Sequence, residues 1–293
     1  MGYRVDIRQR FRHVKVSHLL NRRWQWIGLA LFLLVCAYVI FVPPQVTILI
    51  LGMDARPGEG FATRTDTILL LNLQTRRLRM SMFSIPRDVF IEVEGYGSQR
   101  INSINVLGEL EQSGTGAEWV ARAIEDNFNL EVDRTARLNF DAFVQLVDAL
   151  GGVTVEVERA IVDPTFPTQD FGTMVVRFDE GKQHMDGITA LRFARTRHGD
   201  DDYARIQRQQ QVLQAVVTKL MLPWNWWAIA HIYGQNVETD INLLDGVTYL
   251  PTVILSAGKF ERLSLNRDDL LAGTRGAIPN YARIDPWLDA HFR

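Results

Sequence analysis

Cysteine is almost missing from this chain: a single one, Cys36, occurs in 293 residues. It falls inside an apolar run, so the remainder has no disulfide to staple it and no thiol nucleophile. Histidine is sparse as well. The six histidines (13, 18, 184, 198, 231 and 291) show no zinc-ligand spacing and no His-x-x-x-His pair, which argues against zinc hydrolysis. No internal repeat and no low-complexity segment occurs.

Acidic residues are nearly absent from the N-terminal end. Residues 1–42 hold Arg4, Arg8, Arg10, Arg12, Lys15, Arg22 and Arg23 against the single acid Asp6. That segment is net +6 in a chain of net −2, leaving −8 for residues 43–293. An acidic domain is a poor binder of generic polyanions, so a nucleic-acid partner is not expected and the arginines of this part must act locally. Residues 24–42, WQWIGLALFLLVCAYVIFV, carry no charge and at helical rise would span roughly 30 Å of hydrocarbon. The expectation is a basic tail over 1–23, one N-terminal transmembrane helix over 24–42, and an extracytoplasmic domain over 45–293. The basic flank places the N-terminus in the cytoplasm, giving a single-pass protein of the cell membrane, with Trp24 and Trp26 at the inner interface. A cleaved signal peptide is the competing reading; the apolar run is long for one, and no small-x-small site follows it.

With 47% hydrophobic residues, the exported part is large enough for one core. Residues 46–51 (VTILIL) are a continuous apolar run ending at Gly52, the pattern of a strand buried on both faces. Two more strands are expected over 67–73 and 78–84, joined by the polar turn QTRR. Helical spacing covers 101–110 and 117–128. A strand follows over 132–138, then a helix over 140–150 closed by Gly151-Gly152, and an alternating strand over 153–158. Helices are expected over 186–194, 202–221 and 243–256, and a strand over 260–265. The alternation predicts an α/β domain with a mixed central β-sheet and helices on both faces.

Three clusters carry chemistry. In residues 52–67, GMDARPGEGFATRTDT, Asp54 lies just past a strand end, where open α/β sheets place ligands. Arg64 and Asp66 are two apart and face the same way in an extended segment. Asp54 and Asp66 can then share a metal while Arg64 reaches a phosphate; the bland alternative is a surface loop with Asp66 capping a turn and paired to Arg64. In SIPRDV (84–89), Pro86 stiffens a strand end and presents Arg87, with an Arg87–Asp88 surface pair as the alternative. Residues 100–105, RINSIN, open a helix that Asn102 is expected to cap. The densest cluster is 194–211, ARTRHGDDDYARIQRQQQ. Arg195 and Arg197 alternate in an extended stretch, and Asp202, Arg205 and Gln209 fall on one helical stripe. Arg208 lies off that stripe and reads as structural, and Asp200 and Asp201 read as favouring the helix N-terminus. Arginine offers a planar fork suited to phosphate oxygens, and aspartates among arginines suit a hard divalent cation on the same phosphates. Beside an anchor, that combination points to a lipid pyrophosphate.

These residues closely resemble the LytR-CpsA-Psr family of membrane-anchored cell-wall enzymes. Four blocks carry the resemblance: G-x-D-x-R with R-T-D-T, S-I-P-R-D, F-V-Q-L-V-D-A-L-G-G-V at 143–153, and M-D-G-x-x-A-L-R-F-A-R-T-R followed by D-Y-A-R-I-Q-R-Q-Q. It runs from about residue 46 to 217, with a continuation through Thr239-Asp240. The resemblance implies a polyisoprenyl-(pyro)phosphate-binding fold with an apolar tunnel and a Mg2+- (or Mn2+-) dependent phosphotransferase. The implied reaction moves a polyprenyl-pyrophosphate-linked glycopolymer to a sugar hydroxyl of peptidoglycan. By motif, Asp54 and Asp66 become metal-side carboxylates. Arg64, Arg87, Arg195, Arg197 and Arg205 become phosphate ligands, and Asp202 and Gln209 complete the headgroup wall. Arg100 departs from the usual lysine with charge preserved. The short spacer after Arg197 leaves open which of Asp200, Asp201 and Asp202 takes the family position, and Asp-Tyr-Ala-Arg favours Asp202.

Positioning and charge stabilisation dominate phosphoryl transfer, so Arg87 and the cation would neutralise the leaving group while Asp66 or Asp202 orients the acceptor hydroxyl. Helices 117–128, 140–150 and 203–220 are candidates to line the lipid channel. A polyprenyl-pyrophosphate hydrolase and a non-catalytic, carrier-binding regulator are the rivals. The tryptophans of Pro223-Trp224-Asn225-Trp226-Trp227 are a candidate bilayer contact, against the plainer reading of a helix end packed in the core.

Overall fold

The computed structural model describes residues 15–53, 60–168, 172–196, 202–220, 222, 225, 237–256 and 260–293. The chain divides into two compact units, Met1–Pro44 and Gln45–Arg293. In the first, α1 (Lys15–Phe41) is one unbroken helix of 27 residues with Trp24, Trp26, Phe32, Ile40 and Phe41 exposed. Counting only described residues, no helix is long and apolar enough to cross a membrane. The side chains of residues 31, 34, 37 and 39, inside the uncharged run, are not among those described.

The second unit is a mixed α/β domain. Its central sheet has six strands, ordered β11 (Val237–Thr239), β6 (Arg134–Asn139), β1 (Val46–Met53), β2 (Thr65–Gln74), β3 (Arg79–Ile85) and β12 (Phe260–Ser264). β1 runs antiparallel to β2 and parallel to β6, β2 antiparallel to β3, and β12 parallel to β3. Strands β1 to β3 are buried along most of their length, with apolar stretches such as Ile68–Leu71, because both of their faces are covered. Leu49, Leu51, Met53, Leu70 and Phe83 point to one side. There they meet α2 (Ile101–Glu111), α3 (Gly116–Phe128) and α8 (Tyr281–His291). Ile48, Leu69, Leu71, Met80 and Met82 point to the other. On that side lie α4 (Phe140–Ala149), α5 (Gly187–Arg195), α6 (Asp202–Leu220) and α7 (Leu243–Leu255).

The expected strands and helices are present with small boundary shifts, such as β3 at Arg79–Ile85. Several elements were not anticipated: the hairpin of β4 (Phe90–Val93) and β5 (Gly97–Arg100), the ribbon of β8 (Ile161–Pro167) and β9 (Thr173–Phe178), and α8. β7 (Val153–Val157) pairs with β10 (Gly181–Met185) outside the central sheet. Two expectations are corrected. Asn102 does not cap α2: the N-cap position is Arg100, and Asn102 is buried inside the helix. The first N–H groups of α2 are instead taken up by the preceding turn, Ile101 N donating to Val89 O (2.9 Å) and Asn102 N to Arg87 O (3.3 Å). Helix α3, a candidate lining of a lipid channel, packs with the opposite face of the sheet through Val120, Ile124 and Phe128.

Candidate functional site

A cavity of about 870 Å³ lies between the sheet and α4, α5 and α6. Even-numbered residues of β1, Ile48, Ile50 and Gly52, form part of its floor, as the two-residue strand period requires. Its walls come from Phe143 and Leu146 of α4, Leu191 and Ala194 of α5, and Val212, Leu213, Val216, Val217 and Leu220 of α6. The two ends differ in chemistry. Where β1 begins, Ile48, Leu71 and Ile241 are apolar; where it ends, Gly52, Asp66, Arg87, Asp163, Arg195, Arg205 and Gln209 gather. Gly52 keeps this end open at close quarters: a Cβ there would stand 3.0 Å from the Cβ of Thr67.

The arginines reach this end from three segments. Arg87 follows β3 through Pro86, and its Nη1 donates to Asp66 Oδ1 at 2.5 Å. Both side chains are about one-fifth exposed (22% and 23%), so the pair faces the cavity without being sealed from water. Of the two alternative pairings, Arg64–Asp66 is replaced by this one, while Arg87–Asp88 persists beside it as a longer contact. Arg64 is exposed and does not line the cavity, while Asp88 stands 3.7 Å from Arg87 and 3.9 Å from Arg100 at the surface. The turn bearing Arg87 is anchored by the two hydrogen bonds to the start of α2 described above.

Arg195 is the last residue of α5, and its guanidinium stacks 4.3 Å from the ring centre of Phe140 and 5.8 Å from that of Phe166. Aromatic faces hold a cation in place through the charge distribution of the ring. Helix α5 is fixed at both ends. Asp186 caps it, accepting from Thr189 N at 2.8 Å, and the Thr189 hydrogen bonds hold the Asp186 carboxyl below the usual carboxylate range. Beyond Arg195, buried Thr196 donates from Oγ1 to Asp163 Oδ2 (2.8 Å), and its carbonyl accepts from Arg208 Nη2 (2.6 Å). Arg208 thus has the structural role its position off the stripe implied. Arg205 and Gln209 come from α6, Arg205 only 4% exposed within the cavity wall.

The cavity therefore brings together Asp66, Arg87, Arg195, Arg205 and Gln209. Asp54, Arg197, Asp200 and Asp201 lie outside the described residues, as do the side chain of Asp202 and Trp224, Trp226 and Trp227. Asp163, Thr165 and Gln210 line the same cavity and escaped the sequence reading. Asp163 sits in an Asp-Pro-Thr bulge of β8 and Gln210 donates from Nε2 to Ser84 Oγ at 2.8 Å. The D-P-T turn signal was the available clue to the first. Thr239 and Asp240 belong to the frame: they hydrogen-bond the carbonyl and N–H of Thr135.

A second polar network steadies the segment leading to Asp66. Arg137 of β6 is 1% exposed and donates to Asn105 (2.9 Å), Glu109 (2.5 Å) and Glu238 (2.6 Å). Asn105 in turn donates to the carbonyls of Phe61 (2.8 Å) and Thr63 (2.9 Å). Burial pushes the Glu109 carboxyl up, but hydrogen bonds from Gly114 N, Arg137 and Gly116 N outweigh it and hold the group below its ordinary value.

Among the described residues no group of three or more His, Cys, Asp or Glu is arranged to hold a metal. Asp66 remains a fitting contributor, since its Oδ1 is engaged by Arg87 and its second oxygen takes no hydrogen bond among the described residues. A hard cation on that oxygen would draw its other ligands from a phosphate and from outside the described set.

An α/β domain with one amphipathic cavity among the described residues, apolar along its length and ionic at one end, is the class of fold these features define. The pattern of the LytR_cpsA_psr family matches residues 42–277, and the chain belongs to that family. The polyisoprenyl-teichoic acid–peptidoglycan teichoic acid transferase TagU of Oceanobacillus iheyensis is 35% identical over 203 residues, 68% of this chain and 59% of its own length. The chain thus spans about three-fifths of that relative. Regulatory protein MsrR of Staphylococcus aureus is 29% identical over 180 residues, 60% of this chain and 50% of its own. The crystal structure of B. subtilis TagV superposes with a TM-score of 0.67 at 24% identity, covering 84% of this chain and 95% of that one.

Proposed function

We propose that this protein is a membrane-anchored phosphotransferase that moves a glycopolymer from a polyprenyl-pyrophosphate carrier to a sugar hydroxyl of peptidoglycan. The observation that carries the reading is the cavity itself, whose arginine-lined end adjoins an apolar length suited to a lipid tail. Teichoic acid transferase is the name of a relative above 30% identity, which supports the reaction class. The uncharged run over 24–42 within α1 supports the anchor.

Arg87, Arg195 and Arg205 would grip the pyrophosphate oxygens through charge-assisted hydrogen bonds. The acceptor hydroxyl oxygen attacks the phosphorus nearer the glycopolymer. Its new P–O bond forms as the bond to the bridging oxygen breaks, releasing polyprenyl monophosphate and leaving the glycopolymer in a phosphodiester. Asp66 or Asp202 takes the hydroxyl proton. Mg2+ (or Mn2+), held by Asp66 with Asp54, would neutralise charge developing on the departing phosphate. Arg87 would hold Asp66 beside the phosphate, and Arg64 and Arg197 are further proposed phosphate ligands.

The test is turnover by the full-length protein with a polyprenyl-pyrophosphoryl glycopolymer labelled in the sugar, peptidoglycan as acceptor and Mg2+ present. Label in the insoluble peptidoglycan with release of polyprenyl monophosphate is the expected result. Label released as free glycopolymer phosphate would make the protein a hydrolase. Tight binding without turnover would make it a carrier-binding regulator, the reading that the similarity to MsrR favours.

A further inference from the structure

The sheet has one end at which β1 begins, directly after Gln45, and the turn between β2 and β3 lies at that same end, since Val46 pairs with Leu73 and Gln74 with Arg79. The turn reads Thr75-Arg76-Arg77-Leu78, and Arg79 follows it. From residue 67 to residue 87 there is no acidic residue, although the segment after residue 42 is acidic as a whole. All three arginines are exposed. Leu78 at the tip is exposed and holds φ of 50°. That left-handed conformation disfavours a leucine, and packing gives an exposed leucine little in return.

Helix α7 crosses the same end. It starts beside the beginning of β6, where Arg134 pairs with Asp245 at 2.9 Å, and leads to β12, whose first residue pairs with Met80. Its inner face holds Tyr249 and Val253 against Ile48, Leu71, Leu213, Val217 and Ile241, all five of which also line the apolar end of the cavity. Its outer face carries Leu244, Val247, Ile254 and Leu255, all exposed. At 100° per residue those four fall within one narrow arc. An apolar stripe flanked by a basic turn is the arrangement that suits the interface of an anionic bilayer. Two of the acids at this end are engaged, Asp245 with Arg134 and Asp133 with Thr47 N at 2.8 Å, while Glu131 and Glu261 are exposed.

We propose that the outer face of α7 and the Arg76–Arg79 turn form a bilayer-contacting surface that seats the apolar end of the cavity on an anionic leaflet. A lipid tail would then enter between α6, α7 and the start of β1 without crossing water. The inference rests on reading the cavity as a lipid site, but its test does not require a carrier or turnover.

The full-length protein carrying Cys36→Ser is placed in nanodiscs of phosphatidylglycerol and phosphatidylcholine, free of polyprenyl phosphates. A spin label goes on Val247→Cys in one sample and on Leu110→Cys of α2 in another. Collision with oxygen and with a water-soluble nickel chelate is measured at each. The expected result is a higher oxygen-to-nickel accessibility ratio at 247 than at 110, falling when Arg76, Arg77 and Arg79 are all changed to glutamate. Equal ratios at the two positions, or a ratio at 247 indifferent to the charge reversal, would overturn the proposal. Failure here with retained glycopolymer transfer would leave the function standing and remove only the docking surface.

Discussion

Arg87 and Asp66, 21 residues apart in sequence, meet at 2.5 Å at the ionic end of the cavity. Each enters from the end of a strand, Arg87 after β3 and Asp66 at the start of β2, so the antiparallel pairing of those strands sets their separation. Asp66 holds the guanidinium over the cavity, and an incoming phosphate would share that cation with the carboxylate. Arg87→Ala is therefore expected to weaken binding of a polyprenyl pyrophosphate by about 1.5–3 kcal/mol, the range for a hydrogen bond to a charged group. Calorimetry with a short-chain polyprenyl pyrophosphate measures this directly. An unchanged affinity in a folded variant would remove Arg87 from the headgroup site.

The apolar length of the cavity makes a separate prediction. Val217 faces it from α6, remote from the ionic end, and Val217→Trp would fill part of it. Affinity for a long polyprenyl phosphate should fall, while that for a ten-carbon geranyl pyrophosphate should hold. Equal losses for both ligands would place the tail elsewhere.

Arg137 supports the site through Asn105 and the carbonyls of Phe61 and Thr63 rather than by touching a ligand. Arg137→Met leaves the nearly buried Glu109 carboxylate without its cation, held only by the N–H groups of Gly114 and Gly116, which is expected to cost about 3–5 kcal/mol of stability. The double variant with Glu109→Leu should recover part of that loss. Urea unfolding of both, followed by tryptophan fluorescence, is the measurement; a double variant no more stable than the single would contradict the assignment.

Three carboxyls, Glu109, Asp186 and Asp245, are held below their ordinary values. In Glu109 burial opposes the shift and is outweighed by the hydrogen bonds from Gly114, Arg137 and Gly116. The hydrogen bonds from Thr189 lead in Asp186, and the one from Arg134 leads in Asp245. A depressed carboxyl stabilises the fold above its unfolded-state pKa, and that contribution is lost as pH falls through the folded value. Stability should thus drop below about pH 4, near the unfolded carboxylate range, and Glu109→Gln should flatten the drop. Melting temperature against pH for the two proteins tests it.

Helices α4 and α5 touch at Gly187, where a Cβ would come within 2.3 Å of Val144 O. Gly187→Ala must push the helices apart and shift Arg195, at an expected cost of about 1–3 kcal/mol, as for other overpacked contacts. Thermal unfolding checks the cost, and normal stability would show that the contact yields.

The central strands were legible because burial on both faces leaves runs of consecutive apolar residues, as in Ile48–Leu51 and Ile68–Leu71. The β8–β9 ribbon was not, since Pro164 and Pro167 within β8 argue against a strand by the usual rules. α8 was missed for a related reason, with Pro286 inside it. The site residues on strand and helix ends, Asp66, Arg87, Arg195, Arg205 and Gln209, could be read from spacing and motif. Asp163 and Arg137 could not. A lone charged residue is expected at the surface, and only tertiary contacts from segments distant in sequence make these two buried.

Mass spectrometry of lipid carried through purification of the full-length protein from its native membrane tests the central claim most directly. A polyprenyl phosphate or pyrophosphate should accompany the wild type and be depleted when Arg87 and Arg205 are both changed to alanine. Bulk phospholipid alone, or a polyprenyl lipid retained equally by that variant, would contradict a cavity that binds the carrier by its phosphate.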